Sequence, residues 1–217
     1  MTCPLVSCLC PTYEPRESLR EAIECFCDQD YQHKELIVLD DHPNGRMIGP
    51  YQRVKYVHTH VRFRSLPEKY NALAGLSRGD ILMPWEDDDL YEPWHISAHV
   101  AAIGDHQDAV WSKPSVCLQQ MPDGKLYRRS DKNRLARFHA SIALTRELFC
   151  HVGGWPLTKR ADFDRQFQER LCEYGSLVDP IECDDRPSYT NRWRQSSQSD
   201  DDVTWYNHMG KRTYTRG

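Results

Sequence analysis

Residues 80–93 read DILMPWEDDDLYEP. The first half, ILMPW, is short and wholly apolar, which predicts a strand buried on both faces, as in a parallel sheet covered by helices. The second half sets Glu86, Asp87, Asp88 and Asp89 directly behind that strand. Like charges repel, so such a run is a solvated face, the start of the helix opened by Pro93, or the seat of a cation. Adjacent carboxylates at a strand end suit a hard divalent ion, Mg2+ or Mn2+, which takes oxygen ligands and keeps positions open for phosphate oxygens. The place behind a buried strand favours the cation over the cap.

Outward from this stretch, strand and helix signals alternate. LVSCLC (5–10) reads as a first strand closed by Pro11, and Pro15 opens a helix in which Leu19, Ala22, Ile23 and Phe26 recur at helical spacing. ELIVLDD (35–41) is a second buried strand and RVKYVHTH (53–60) a third. In SLPEKYNALAGLS (65–77), Ser65 and Glu68 form a capping box with Pro67 in the first turn, and Gly79 follows the helix. EPWHISAHVAAIGDH (92–106) is another helix opened by a proline. This alternation implies an α/β fold with right-handed crossovers and a mostly parallel sheet, whose ligands bind beyond the carboxyl ends of the strands. Three polar segments fall at such ends, PTYE (11–14), DDHP (40–43) and EDDD (86–89), and converge on one edge.

The second half is less regular. AVWSKPSVCLQQ (109–120) and KLYRRS (125–130) flank the turn signal MPDGK, which predicts a small antiparallel hairpin. HASIALTRELFCHVGGW (139–155) reads as strand, short helix and glycine loop. In RADFDRQFQERLCEYG (160–175), Phe163, Phe167, Leu171 and Tyr174 line one helix face, Gly175 ends it, and Asp162 and Asp164 lie in its first turn. After SLVDPIE (176–182) the chain turns polar. With no repeat and no linker composition, residues 1–217 are expected to form a single domain.

Composition narrows the partners. A net charge of −4 without a long basic run argues against duplex nucleic acid, which needs a concentrated positive footprint. No segment approaches the ~18 apolar residues of a membrane span, and MTCPLVSCLCPTYEP lacks the basic start and cleavage site of a signal peptide. The expectation is a soluble, cytoplasmic protein without a transmembrane segment, either free-standing or one module of a longer polypeptide. The cysteines, at 3, 8, 10, 25, 27, 117, 150, 172 and 183, include no Cys-x-x-Cys pair and are odd in number, which favours free thiols. Cys8 and Cys10 share one strand face as small apolar fillers.

VSCLCPTYEP, LREAIECFCDQDY and KELIVLDDHP, followed by EKYNALAGLSRGDILMPWEDDDLYEP, resemble the inverting family 2 glycosyltransferases of GT-A fold. VGGWPLTKRADFDRQFQERLCEYG is similar to that family's Gly-Gly-Phe/Trp loop and the acidic helix behind it. The resemblance implies a Rossmann-like three-layer sandwich, a nucleotide-sugar half (1–110) and an acceptor half (111–217). It implies that Thr12, Tyr13 and Asp40 contact the base, that Pro11 and Glu14 shape that pocket, and that Asp41 supports its loop. Asp87 would meet the ribose and Asp88 a divalent cation, Mn2+ or Mg2+, with a register open by one place within the four acids. Lys69 and either Arg62 or Arg64 would neutralise the diphosphate. Asp162 matches the catalytic base, with Asp164 as rival, although Ala161 stands where the family has a supporting glutamate. Glu86 and Asp89 then support the site or cap the next helix. Trp155 stacks on an acceptor sugar or anchors the core; Arg192 and Arg194 close over the donor; His208 is a possible third metal ligand. The implied activity is metal-dependent, inverting transfer of a hexose from a UDP-sugar to a hydroxyl of a glycan or glycoconjugate. A nucleotidyltransferase is the rival enzyme, but PTYEPRES lacks its Gly-rich phosphate loop. A binding module without catalysis is the other rival, supported by Ala161.

Overall fold

A computed structural model describes residues 3–13, 17–45, 49–104, 110–130, 138–158, 162–181 and 186–193. In chain order the elements are β1 (Val6–Thr12), α1 (Glu17–Cys27), β2 (Lys34–Asp40), β3 (Val54–His58), α2 (Leu66–Leu76), β4 (Ile81–Pro84), β5 (Leu90–Tyr91), α3 (His95–Gly104), β6 (Val110–Ser112), β7 (Val116–Gln120), β8 (Leu126–Ser130), a 3-10 turn (His139–Ser141), β9 (Ala143–Thr145), α4 (Arg146–His151), α5 (Phe163–Tyr174), β10 (Ser176–Val178) and β11 (Tyr189–Arg192).

Seven strands make the central sheet in the order β10-β6-β9-β4-β1-β2-β3. All its pairs are parallel except those of β9, which runs antiparallel to both β4 and β6. The period-2 alternation of buried strands sorts the core into two layers. Val6, Cys8 and Cys10 of β1 face Leu19, Ala22, Ile23 and Phe26 of α1 and Ile96 and Ile103 of α3. Leu9, between them, faces the opposite layer with Tyr70 and Leu73 of α2, Leu148 of α4, and Phe163, Phe167 and Leu171 of α5. The expected α/β three-layer sandwich is what forms.

Pro11 does not close β1. The strand runs on to Thr12, in register with Leu39 and Asp40 of β2. On the other side the ladder stops at Leu9–Pro84, where Leu9 O accepts from Trp85 N at 2.9 Å. Pro11 faces the same side as Leu9, beyond the end of β4, so its missing N–H forfeits no ladder bond. In α2 the Ser65 hydroxyl accepts from Glu68 N at 3.3 Å, and Glu68 returns its carboxylate to Arg64 N at 2.8 Å, one residue earlier than a regular box. Tyr174, expected on the buried face of α5, is 49% exposed and meets His151 edge-on at the protein's surface.

A second sheet, β5-β11-β7-β8, stands over the carboxyl edge of the first. The hairpin β7–β8 is antiparallel as the turn signal predicts, with Gly124 at φ 81°. β11, polar and only four residues long, pairs in parallel with β7 and antiparallel with β5. Among the described residues no helix is long and apolar enough to cross a membrane.

Candidate active site

The turn between β4 and β5 carries the four acids, and aromatic side chains fix it from below. Trp85 is fully buried, donates Nε1 to Ala22 O at 2.9 Å and stacks on Tyr91 with ring centroids 3.6 Å apart. The Tyr91 hydroxyl accepts from Glu86 N at 2.8 Å, and Tyr70 donates its hydroxyl to Glu86 Oε1 at 2.6 Å. Burial, with the like charges of Asp88, Asp89 and Asp87, pushes the Glu86 carboxyl well above the usual range against the Tyr70 hydrogen bond. Asp89 is buried and receives the Tyr189 hydroxyl, Asn191 Nδ2 and Arg192 N, the last at 2.8 Å. Burial and then the charge of Asp88 raise Asp89 to about 7, opposed by those hydrogen bonds. Asp89 therefore fastens β11 to the turn; it does not cap α3, whose first residue is His95. Asp87 and Asp88 are half-buried at the carboxyl edge of the central sheet.

The three polar segments do meet there. Thr12, at the end of β1, donates Oγ1 to Asp87 Oδ2 at 2.5 Å. Lys69 is buried; its ammonium donates to Thr12 O and pairs with Asp41, whose other oxygen accepts from Phe63 N at 2.9 Å. In this arrangement Lys69 braces the ends of β1 and β2 against α2. Tyr13 lies under the Arg62 guanidinium, 4.0 Å from its ring centre, and meets His42 edge-on at 4.9 Å. Arg62 of VRFR thus stands at this edge over Tyr13, while Arg64 gives its backbone N–H to Glu68.

Asp40 is closed off. Its carboxylate accepts from His42 N at 2.9 Å and from the Tyr56 hydroxyl, and it is 0% exposed. Gly45 presses on it: a Cβ there would stand 2.4 Å from Asp40 Oδ2 and 2.4 Å from the His58 ring. The 43–45 turn thus covers Asp40. Pro11, in β1, is buried beneath this edge.

Asp162 lies at the N-terminus of α5 and accepts from Gln166 Nε2 at 2.9 Å. Gln166, four residues on and on the same helix face, holds the carboxylate from the C-terminal side. A pocket of about 550 Å³ lined by Thr158, Asp162, Arg165, Gln166 and Glu169 opens beside it. Asp164 stands one position into the helix, where its Oδ1 accepts from Arg165 N at 2.8 Å. Trp155 is a core anchor and not a sugar platform: it is 1% exposed and stacked between Tyr70 and Phe167. Arg192 lies against the acidic turn, Nε on Asp88 O and Nη1 on Glu21, as a brace and not a lid over the donor. Glu14, Ala161, Arg194 and His208 lie outside the described residues.

Tyr56, Tyr70, Gly45, Gln166 and Asn191 shape this site without having stood out in the sequence. Gln166 alone carried a local signal, its i+4 spacing from Asp162; the others meet their partners only through tertiary pairing.

A cation fits the donor set by its chemistry. Asp87 and Asp88 offer hard oxygens, and among the described residues no group of three or more His, Cys, Asp or Glu side chains is arranged to cage a metal. Asp87 and Asp88 would supply a carboxylate or two and leave the remaining positions to phosphate oxygens and water, as Mg2+ and Mn2+ accept.

The profile of glycosyl transferase family 2 matches residues 7–167. Solved structures show the same fold. S. aureus TarS 1-349 in complex with UDP-GlcNAc is 16% identical with a TM-score of 0.66, over 94% of this chain and 64% of that one. The mannosyltransferase PcManGT from Pyrobaculum calidifontis, in complex with GDP-Man and Mn2+, is 17% identical with a TM-score of 0.62, over 88% of this chain and 56% of that one. The chain thus spans less than two thirds of these solved chains. No curated protein sequence matches it. With the profile covering most of its length and the carboxyl-edge acids in place, the chain belongs to glycosyl transferase family 2.

Proposed function

We propose that the protein is a metal-dependent, inverting glycosyltransferase of the cytoplasm that moves a hexose from a UDP-sugar to a hydroxyl of a glycan or glycoconjugate. The observation that carries this reading is the hydrogen bond from Thr12 Oγ1 to Asp87 Oδ2 at 2.5 Å, which joins the ends of β1 and β4 into one edge. Tyr13 and Arg62 flank it on the base side, with Pro11 beneath; Asp40 and Asp41 anchor the β2 end, and Lys69 braces it. Glu14 is assigned to the same pocket by its place in PTYE. Asp87 takes the ribose and Asp88 holds Mn2+ or Mg2+, which when bound supplies positive charge for the diphosphate leaving group.

Asp162 is the general base. It takes the proton from the acceptor hydroxyl as that oxygen bonds to the anomeric carbon, while the bond to the diphosphate breaks on the opposite face. Gln166 keeps the carboxylate oriented through the 2.9 Å hydrogen bond and fills the supporting role that Ala161 cannot. Loss of catalysis through Ala161 is therefore not the favoured reading.

A screen of UDP- and GDP-sugars with Mn2+, with and without oligosaccharide acceptors, tests this. Release of UDP is expected, and Asp162→Asn should cut it by about 100-fold or more while donor binding persists. Donor binding without turnover across the panel would favour a binding module, and undiminished transfer by Asp162→Asn would move the base elsewhere.

A further inference from the structure

Asn71 follows Tyr70 on α2 and reaches across to the glycine loop. Its Oδ1 accepts from Trp155 N and its Nδ2 donates to Trp155 O, each at 2.9 Å. Only a side chain with a donor and an acceptor on one planar group closes such a two-bond clamp. The loop is shaped to admit it: Gly153 and Gly154 sit at φ 78° and 74°, and a Cβ on Gly154 would stand 2.6 Å from Asn71 Oδ1. The clamped Trp155 ring lies 4.9 Å from Tyr70 on one side and 4.6 Å from Phe167 on the other, both stacked. Its Nε1 donates to His139 Nε2 at 3.1 Å, a ring that burial keeps neutral by holding it down at about 3.

This stack has functional groups at both ends. Tyr70 gives its hydroxyl to Glu86 in the acidic turn, and Phe167 lies in α5 behind Asp162 at its N-terminus. The path Glu86–Tyr70–Trp155–Phe167 is close-packed throughout, so it transmits displacement instead of absorbing it. We propose that Asn71 is a positioning residue for the transfer step: by fixing Trp155 it sets the separation between the Asp87–Asp88 turn and Asp162. The role rests on the transfer reading above. It matters because a misplacement of about 1 Å between reacting groups costs on the order of 100-fold in rate.

Asn71→Asp tests it in the 217-residue chain. The carboxylate still accepts from Trp155 N but has no hydrogen for Trp155 O; once protonated it regains one, and half-burial against the Trp155 carbonyl oxygen pushes its pKa up. UDP affinity measured calorimetrically with Mn2+ should match wild type. At about pH 8, kcat for release of UDP from the sugar nucleotide that turns over in the screen should fall about 100-fold with KM for the donor unchanged. The deficit relative to wild type should narrow as pH falls toward about 5.5, because protonation restores the donor to Trp155 O, whereas a purely structural clamp would lower unfolding free energy and leave kcat of the folded protein at the wild-type value. Should Asn71→Asp not fold, Gly154→Ala presses on the same contact from the loop side and is expected to lower kcat without the acid rescue. Asp162→Asn runs alongside. If it is inactive while Asn71→Asp keeps wild-type kcat at every pH, the role of Asn71 is overturned alone. If Asp162→Asn is as active as wild type, or wild type turns over nothing, the transfer reading falls and this role with it.

Discussion

Glu86 and Asp89 flank Asp87 and Asp88 in an unbroken run, yet two tyrosines hold the first, and Tyr189, Asn191 and Arg192 hold the last. Neighbours, not intrinsic chemistry, divide the four acids into two that build the turn and two at the sheet's edge. That division was not legible in the sequence. EDDD announces a charged site, but the partners of Asp89 come from about a hundred residues away, and no local spacing encodes them. The placing of PTYE, DDHP and EDDD on one edge was legible, because strand ends in a parallel sheet coincide whatever the side chains. Buried imidazoles act at the same scale. His99 is fully buried with Nδ1 on Ser112 Oγ, 4.7 Å from the ring of His95, and burial holds it down at about 3. A histidine whose folded pKa lies below its ordinary 6.5 binds fewer protons than in the unfolded chain throughout that window. Its contribution is complete above that ordinary value and is lost as pH falls through the window. Unfolding free energy should therefore drop on acidification below about pH 6.5, with each such histidine adding roughly 1.4 kcal/mol per pH unit. Denaturant titrations across this range check it: His99→Leu should show a slope smaller by one proton, and an unchanged slope would contradict the burial argument.

Elements were read well wherever they are long and periodic. α1 buries Leu19, Ala22, Ile23 and Phe26, the set its helical spacing predicts, and β2 is buried along nearly its whole length. Short pieces failed. β5 has two residues and β11 reads YTNR, so neither shows an alternation long enough to recognise; β11 forms because β7 supplies a partner edge, and β5 because β11 does. Pro11 misled for a related reason: proline ends a strand only where its N–H would have been used, and β4 is already finished there. Gly79 follows α2, whose C-cap is Ser77, and its tighter constraint is the close approach to β1. A Cβ there would stand 2.5 Å from Ser7 Oγ, 2.6 Å from Ser7 N and 2.7 Å from Leu5 O. Two of those atoms are backbone and cannot swing away. Gly79→Ala should cost about 1–3 kcal/mol, the range for overpacking, by prying β4 from β1 at its start. Chemical denaturation measures it, and UDP affinity of the folded fraction should be unchanged because the carboxyl ends lie at the other end of both strands. A neutral effect would mean that the β1–β4 junction yields more than its packing suggests.

At the scale of the whole molecule, two sheets meet at one turn. The central sheet brings the ends of β1, β2 and β4 together, and the second sheet is tied to that edge through Asp89 and Arg192. α2 links the two sides of the site, with Lys69 toward β1 and β2, Tyr70 toward the acids, and Asn71 toward the loop that leads to α5. Three successive residues of one helix thus serve three directions, since 100° per residue turns each to a different neighbour. The family motifs revealed which segments matter but not this wiring, in which Lys69 ties Thr12 to Asp41 and Trp155 packs between Tyr70 and Phe167. The central claim is that a divalent cation at Asp88 joins protein to nucleoside diphosphate. Calorimetric titration of UDP, with and without Mn2+, into wild type and Asp88→Ala is the direct measurement. Mn2+ should strengthen UDP binding to wild type by at least about tenfold, some 1.4 kcal/mol, and should do nothing for the folded variant. Equal enhancement in both proteins, or none in wild type, would contradict the account.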